Sequence, residues 1–488
     1  MDTYINTLFS RSKTKFKPVK RILKRNFTDL AQNNFLRKSK KNIFESVWKT
    51  NNISSGSSAS TQIKLPLIAT GTYDFVVDWG DGSSNKITSY NHPNTTHTYA
   101  ISGTYTIKIE GTCTGWQFDN SGDRLKILSI RTWGSAFRLG TNQGNYFFGC
   151  DNLNLATVKD VLNLSGTTHL NFAFSNCTAL TEIRKINNWN TSGVGDMCGM
   201  FSGCTFFNQN LDLWNTTAVT NMSSMFRSCS SFNQNLGNWN VSAVFDFSNM
   251  FYDCTVFNNG GSCNINNWKI RSSGNIDMSD MFSECNAFNQ NIGNWNTIAV
   301  TTMNKMFSGC TAFNQNIENW NTTAVTNMFA MFRNCSRFNQ NIEKWNTAAV
   351  TTMYGMFLNC SSFNQNIGNW NTAAVTNMGG MFWECTDFNQ NIENWNTTLV
   401  TNMNGMFYGA VNFDQNLGNW NVATVTDFST MFSGCKHFNN GGSPDINNWK
   451  LKTTAVVAMY NMFKNCSSFN QNIENWNVSS SNLPKKNQ

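Results

Sequence analysis

Residues 366–396 read NIGNWNTAAVTNMGGMFWECTDFNQNIENWN, and Trp370 and Trp395 each stand in nearly the same phrase. The phrase runs on through the chain. Trp189, Trp214, Trp239, Trp268, Trp295, Trp320, Trp345, Trp370, Trp395, Trp420, Trp449 and Trp476 follow one another at 25 residues, apart from two steps of 29 and two of 27. A fixed period of this size marks an array in which each unit buries the face its neighbour exposes. The 29-then-27 pair follows Trp239 and again Trp420, 181 residues later, with the insertions FNNGGSCNINNWK and FNNGGSPDINNWK. A block of seven coils was therefore duplicated as a unit, and the array tolerates changes of coil length.

Within one coil, Val375, Met378, Met381, Phe382, Cys385 and Phe388 fall at steps of 3, 3, 1, 3 and 3. Such spacing predicts one face of a short helix or helical turn. In FNQNIENWN, the β-compatible Phe388, Ile392 and Trp395 are separated by Asn and Gln, which predicts a short strand. The expected fold is an α/β leucine-rich-repeat-like solenoid, with a short strand and a helical turn per 25-residue coil, preceded by a small antiparallel β-sandwich.

Two stretches carry a family resemblance. FAFSNCTALTEIRKINNWN (172–190) keeps the A-F-x-x-C-x-x-L-x-x-I phrase of BspA-like leucine-rich repeats and leads into the Trp-Asn form. Ahead of it, Trp79 to Gly82, His97 to Tyr99 and Gly103 to Thr106 match the WGDG, H-x-Y and G-T-Y-T phrases of a polycystic-kidney-disease-type (PKD-like) domain. In this order the chain resembles BspA-family surface proteins over about residues 61–478. The resemblance implies an adhesin-like role at a cell or virion surface.

The expected organisation is a basic flexible arm and linker (1–60), a PKD-like β-sandwich (61–122), a connecting strand (123–144), the repeat solenoid (145–478) and a disordered tail (479–488). The net charge of +8 belongs to the arm: residues 1–50 hold 13 Lys and Arg against Asp2, Asp29 and Glu45, and the rest of the chain sums to −2. A nucleic-acid-binding body is thereby excluded. The arm itself could contact an anionic membrane surface or nucleic acid. No run of about 18 apolar residues predicts a membrane-spanning helix. The N-terminus develops no apolar core of a signal peptide, and the tail carries no readable anchor.

Each repeated residue has two readings. Cys310, Cys335, Cys360 and Cys385 recur once per coil, with Ala410 filling the place in the coil that lacks one. Alanine can occupy the space but cannot ligate or bridge, so the column is expected to be a structural ladder. Met306-Phe307 and Met356-Phe357 are expected in the core. The Trp column could be buried, with its indole N–H on a turn carbonyl, or exposed as flat faces for sugars or a partner's side chains. Trp295, Trp320, Trp345, Trp370 and Trp395 are therefore candidate binding residues, together with Trp383, Tyr354 and Lys305 at the positions that vary between coils. The asparagines are expected to satisfy backbone groups in tight turns.

No HExxH, GxSxG, GxxxxGK[ST] or strand-to-helix GxGxxG is present, and the four histidines are scattered. Identical coils repeat the same groups, whereas catalysis needs different groups converging on one point. No catalytic residue, metal or cofactor is expected. The function expected is that of a non-catalytic, extended binding module contacting host proteins, cells or glycans, its ligand unnamed. The alternative is an intracellular or virion-associated scaffold whose repeats self-associate and whose basic arm binds an anionic surface.

Overall fold

A computed structural model describes residues 42–453 and 456–477. The backbone of the repeat hydrogen-bonds forward, to the next coil. Along 378–385, the N–H groups of Met378, Gly380, Phe382 and Glu384 donate to the carbonyls of Asn402, Asn404, Met406 and Tyr408, at 2.6–3.0 Å. The intervening N–H groups of Met381, Trp383 and Cys385 fold back onto the carbonyls of Met378, Gly380 and Phe382, at 3.0–3.2 Å. Gly380 (φ 60°) and Glu384 (φ 55°) take left-handed conformations at the third position of two of these turns. A positive φ there is what a type II turn requires.

The expected α/β solenoid is overturned. Among the described residues there is no α-helix; the chain forms strands, short 3₁₀ segments and turns. The steps of three that suggested a helical face are the steps of consecutive four-residue turns, and two left-handed residues per run break any i→i−4 ladder. The strand-like contacts also lie elsewhere than expected. Single parallel bridges join Thr302, Asn327, Thr352, Asn377, Asn402 and Asp427 in succession, just before each coil's first Met-type position. Phe-Asn-Gln-Asn is irregular, and its backbone is satisfied by side chains. Asn364 Oδ1 accepts from the Asn389 N–H at 3.0 Å and from the Gln390 side-chain amide at 2.9 Å, one coil on.

The long coils keep register by looping out. Gly260 and Gly261, with φ of 61° and 77°, turn the insertion outward. The buried Asn259 accepts from the Leu236 N–H at 2.8 Å and donates to the Ser262 carbonyl at 2.7 Å. Trp268 thereby still stacks on Trp295, with ring centres 5.6 Å apart. Asn440 repeats both bonds, to Leu417 and Ser443, at 2.8 Å each.

The first coils rest on a six-stranded sheet. It contains β1 (Ile43–Lys49), β3 (Leu67–Asp78), β4 (Ser84–Ile87), β6 (Thr104–Trp116), β7 (Ile127–Thr132) and β8 (Phe137–Arg138), while β2 (Gln62–Lys64) pairs separately with β5 (Thr96–Thr98). The order β4-β3-β6-β1-β7 is antiparallel throughout, and β8 lies parallel to β6. The sheet therefore extends beyond 61–122. Residues 43–49, within the span expected to be an arm and linker, form a strand between β6 and β7, because Phe44 and Trp48 are apolar groups that only the core can cover. The connecting strand of 123–144 is likewise drawn into the sheet as β7 and β8.

The Gly- and Ser-rich segment 51–60 is pinned by a buried ion pair. Lys126 Nζ donates to the carbonyls of Ser58, Ala59 and Gln62 at 2.8–3.0 Å. Asp123, 3.3 Å from Lys126, accepts from the N–H groups of Ser58 and Lys64 at 2.7 and 2.6 Å. The basic runs expected to form a flexible arm, within 1–41, and the tail 479–488 lie outside the described residues. Coil stacking begins on the sheet itself: the Asn154 N–H donates to the Leu128 carbonyl at 2.8 Å and the Phe118 N–H to the Tyr146 carbonyl at 3.1 Å. One apolar core runs from Phe44 to Trp476. Among the described residues no helix is long and apolar enough to cross a membrane.

Candidate functional site

The inward columns come first, because their burial decides what remains for recognition. Trp295, Trp320, Trp345 and Trp370 are 3% exposed and Trp395 is 2% exposed. Their indole N–H groups donate to the carbonyls of Ile265, Ile292, Ile317, Ile342 and Ile367 in the preceding coil, at 2.9–3.1 Å. These five tryptophans are thus removed from the candidate binding face. A large apolar ring whose single polar atom finds a carbonyl inside the stack gains more from burial than from exposure.

The cysteine ladder packs beside them. The thiols of Cys310, Cys335, Cys360 and Cys385 donate to the carbonyls of Phe282, Phe307, Phe332 and Phe357 at 2.7–3.0 Å. Burial raises the pKa of all four well above the usual thiol range and keeps them protonated. Ala410, fully buried, takes the same place, and Met306, Phe307, Met356 and Phe357 are fully buried in the core.

The partly exposed side chains come from the positions between the two methionines and between Phe and Cys, where the small residues, such as Ala330, Gly355 and Gly380, are themselves buried. Tyr354, Trp383 and Lys305, singled out from the sequence, all lie here and are half-buried. Three more residues join them. Phe329 stacks on Tyr354 at 5.4 Å and 9°, with Lys305 Nζ 5.7 Å from the Phe329 ring centre. Tyr408 stacks on Trp383 at 4.1 Å and 21°. Leu358 lies alongside, 3.8 Å from where a Cβ on Gly355 or Gly380 would stand. Coil-to-coil alignment of the M-x-x-M-F-x-x-C phrase would have gathered Phe329, Leu358 and Tyr408 with the other three, since they occupy the same variable places.

Glycines make room for these side chains. A Cβ on Gly405, itself at φ 57°, would stand 2.6 Å from two ring carbons of Trp383, so the indole leans over the backbone of the following coil. Gly409 does the same for the Glu384 carboxylate, at 2.7–2.8 Å. The resulting face is a half-exposed aromatic strip laid across rigid backbone.

A second polar cluster closes the β3–β4 hairpin. His97 Nε2 lies 2.7 Å from Asp81, and its ring stacks on Trp79 at 4.8 Å. Ser83 Oγ donates to Asp81 at 2.6 Å and lies 3.5 Å from the same His97 nitrogen. A nucleophile relay needs the serine and the carboxylate on opposite nitrogens of the ring, so this arrangement orders a turn and activates no hydroxyl. Partial burial pushes the Asp81 carboxyl up, but the bonds from Ser83 and His97 outweigh it and hold the pKa at about 2. Among the described residues no group of three or more His, Cys, Asp or Glu side chains is placed to hold a metal ion.

Comparison with known proteins matches the coil stack in three tandem segments, 168–276, 276–393 and 381–486, to one family model. No curated protein and no solved structure matches the chain. The three segments together span about two thirds of the 488 residues, and the chain belongs to the repeat family described as Mycoplasma protein of unknown function, DUF285.

Proposed function

We propose that the chain is a non-catalytic, adhesin-like binding module that contacts host proteins, cells or glycans through the turn face of its coils. The observation that carries this reading is the contrast within one coil. Met378, Met381, Phe382 and Cys385 repeat a buried pattern, while the positions between them change and gather Phe329, Tyr354, Leu358, Trp383 and Tyr408 into one half-exposed strip. Partly exposed aromatic groups on a rigid frame carry much of the energy of recognition, because they bury large area at small entropic cost.

Labelled full-length chain incubated with host cells tests the proposal. Wild type is expected to bind saturably, and a Tyr354→Ala/Trp383→Ala double variant with unchanged thermal melting is expected to lose at least tenfold in affinity. Equal binding by the two proteins would reject the turn face. Protection of the native protein from protease on intact cells would reject the surface role and favour a scaffold inside the cell or particle.

A further inference from the structure

The variable residues of the turn face change sign along the stack. Arg333 and Arg337 stand in one coil, Glu384 and Asp387 two coils on, and Leu358 and Ser362 in the coil between. Arg337, Ser362 and Asp387 each come two residues after a ladder cysteine; Arg333, Leu358 and Trp383 each directly follow a buried Phe. Each set is one column of the face. Backbone bonds hold the coils in register, from the Ser362 N–H to the Ser336 carbonyl at 3.3 Å and from the Asp387 N–H to the Ser361 carbonyl at 3.1 Å. Arg333, Arg337 and Asp387 are exposed, and the ion pairs among the described residues use none of them, nor Glu384.

A strip with cations at one end, acids at the other and an apolar centre is complementary to its own reverse. A two-fold axis that lies in the face, crosses the stack and passes by Tyr354 and Leu358 lays each column on its own column with the coil order inverted. Arg337 then meets the second copy's Asp387. Arg333 meets the second copy's Trp383 ring, on which a guanidinium packs well. The Asn334 side-chain oxygen already accepts from Asn359 at 2.8 Å, so its NH₂ group is free to donate to the second copy's Glu384. At the centre Tyr354 and Leu358 meet their own counterparts, and the ring of Tyr408 falls opposite the short Ser308. A parallel pairing would instead set the arginines of one copy beside those of the other, with like charges opposed.

We propose that the turn face is the two-fold interface of a reversible, antiparallel homodimer centred on the coil of Tyr354 and Leu358. The inference rests on reading the turn face as a recognition surface, and it names a second copy of the chain as the occupant when no host ligand is bound. The five coils from Lys305 to Tyr408 make a strip about 24 Å long, at roughly 4.8 Å per coil. A contact of that length suits a reversible dimer rather than an obligate one. The dimer covers Tyr354 and Trp383, so the chain meets a host partner as a monomer.

Sedimentation of the full chain over a concentration series tests the proposal, with wild type, Arg337→Asp, Asp387→Arg and the double variant. Both positions are exposed, so the variants should melt as wild type does. Wild type is expected to dimerise. Each single variant opposes like charges at both symmetric contacts and should dimerise at least tenfold more weakly. The double variant should recover the wild-type dimer, and an equimolar mixture of the two single variants should form a heterodimer, because every contact is then oppositely charged again. A wild-type chain that stays monomeric up to millimolar concentration would overturn the interface, as would single variants that dimerise like wild type or a mixture that shows no recovery. Dimerisation with this charge pattern in a chain that binds no cell sinks only the host-binding reading; cell binding by a chain that stays monomeric sinks only the homodimer.

Discussion

Trp370 stacks on Trp345 with ring centres 6.4 Å apart, and its indole N–H ends on the Ile342 carbonyl. Replacing it with Phe keeps most of the apolar contact and leaves that buried carbonyl unmet, so Trp370→Phe should cost about 1–3 kcal/mol in a denaturant titration. Cys385→Ala should cost only about 1 kcal/mol, because Ala410 already fills the equivalent place in its own coil. Thiol labelling separates the ladder from the surface: 13 of the 15 cysteines are buried, Cys198 is half-buried and Cys263 is exposed. Cys263 should react at once in the native protein, and the 13 buried thiols only after unfolding. The burial of the ladder was legible in the sequence, since Ala410 reports a packing site. The direction of the tryptophans was not, because a 25-residue period repeats the inner and the outer face of a coil equally.

The Met-x-x-Met-Phe-x-x-Cys run is the element in which sequence and structure part. Its left-handed positions hold Gly199 and Gly203 in one coil, Ser224 and Ser228 in the next, and Gly355 and Asn359 further on. Residues of these kinds adopt positive φ readily or recur in turns, and their recurrence at fixed places is a turn signal that the apolar spacing of three overrode. Ala330 takes the same position at φ 50° without glycine's freedom. Ala330→Gly should therefore stabilise the chain by about 1 kcal/mol, and Gly380→Ala should destabilise it by about as much, both read from the shift of the denaturation midpoint. The hairpin of β3 and β4 was legible from Asp81-Gly82 and the alternation around it. The strand β1 was hidden because its Phe44 and Trp48 follow a basic stretch, and only long-range pairing with β6 and β7 shows what they cover.

Over the whole molecule, the sheet and the coils share one core, so a lesion at their junction should be felt by both. Removing one partner of the buried Lys126–Asp123 pair leaves an uncompensated charge, and Lys126→Met should cost about 3–5 kcal/mol in global stability. The thiol ladder adds a pH dependence. Burial raises the thiols of Cys204 and Cys466 from the ordinary 9.0 up to about 12. Below pH 9 both folded and unfolded chains keep these protons, so the contribution is fully present. Above it the unfolded chain ionises first, and stability should fall by up to about 1.4 kcal/mol per pH unit for each of these two thiols until the folded pKa is passed. Denaturant titrations at pH 7 and pH 10 check this, and a Cys204→Ala variant should show a shallower loss.

An arrangement of turns that bond forward to the next coil holds the aromatic strip rigid and half-exposed. Far-UV circular dichroism of the purified chain tests it directly. A spectrum of strands and turns without the paired minima of α-helix is the predicted result; helical signal amounting to one turn in every 25-residue coil would contradict it.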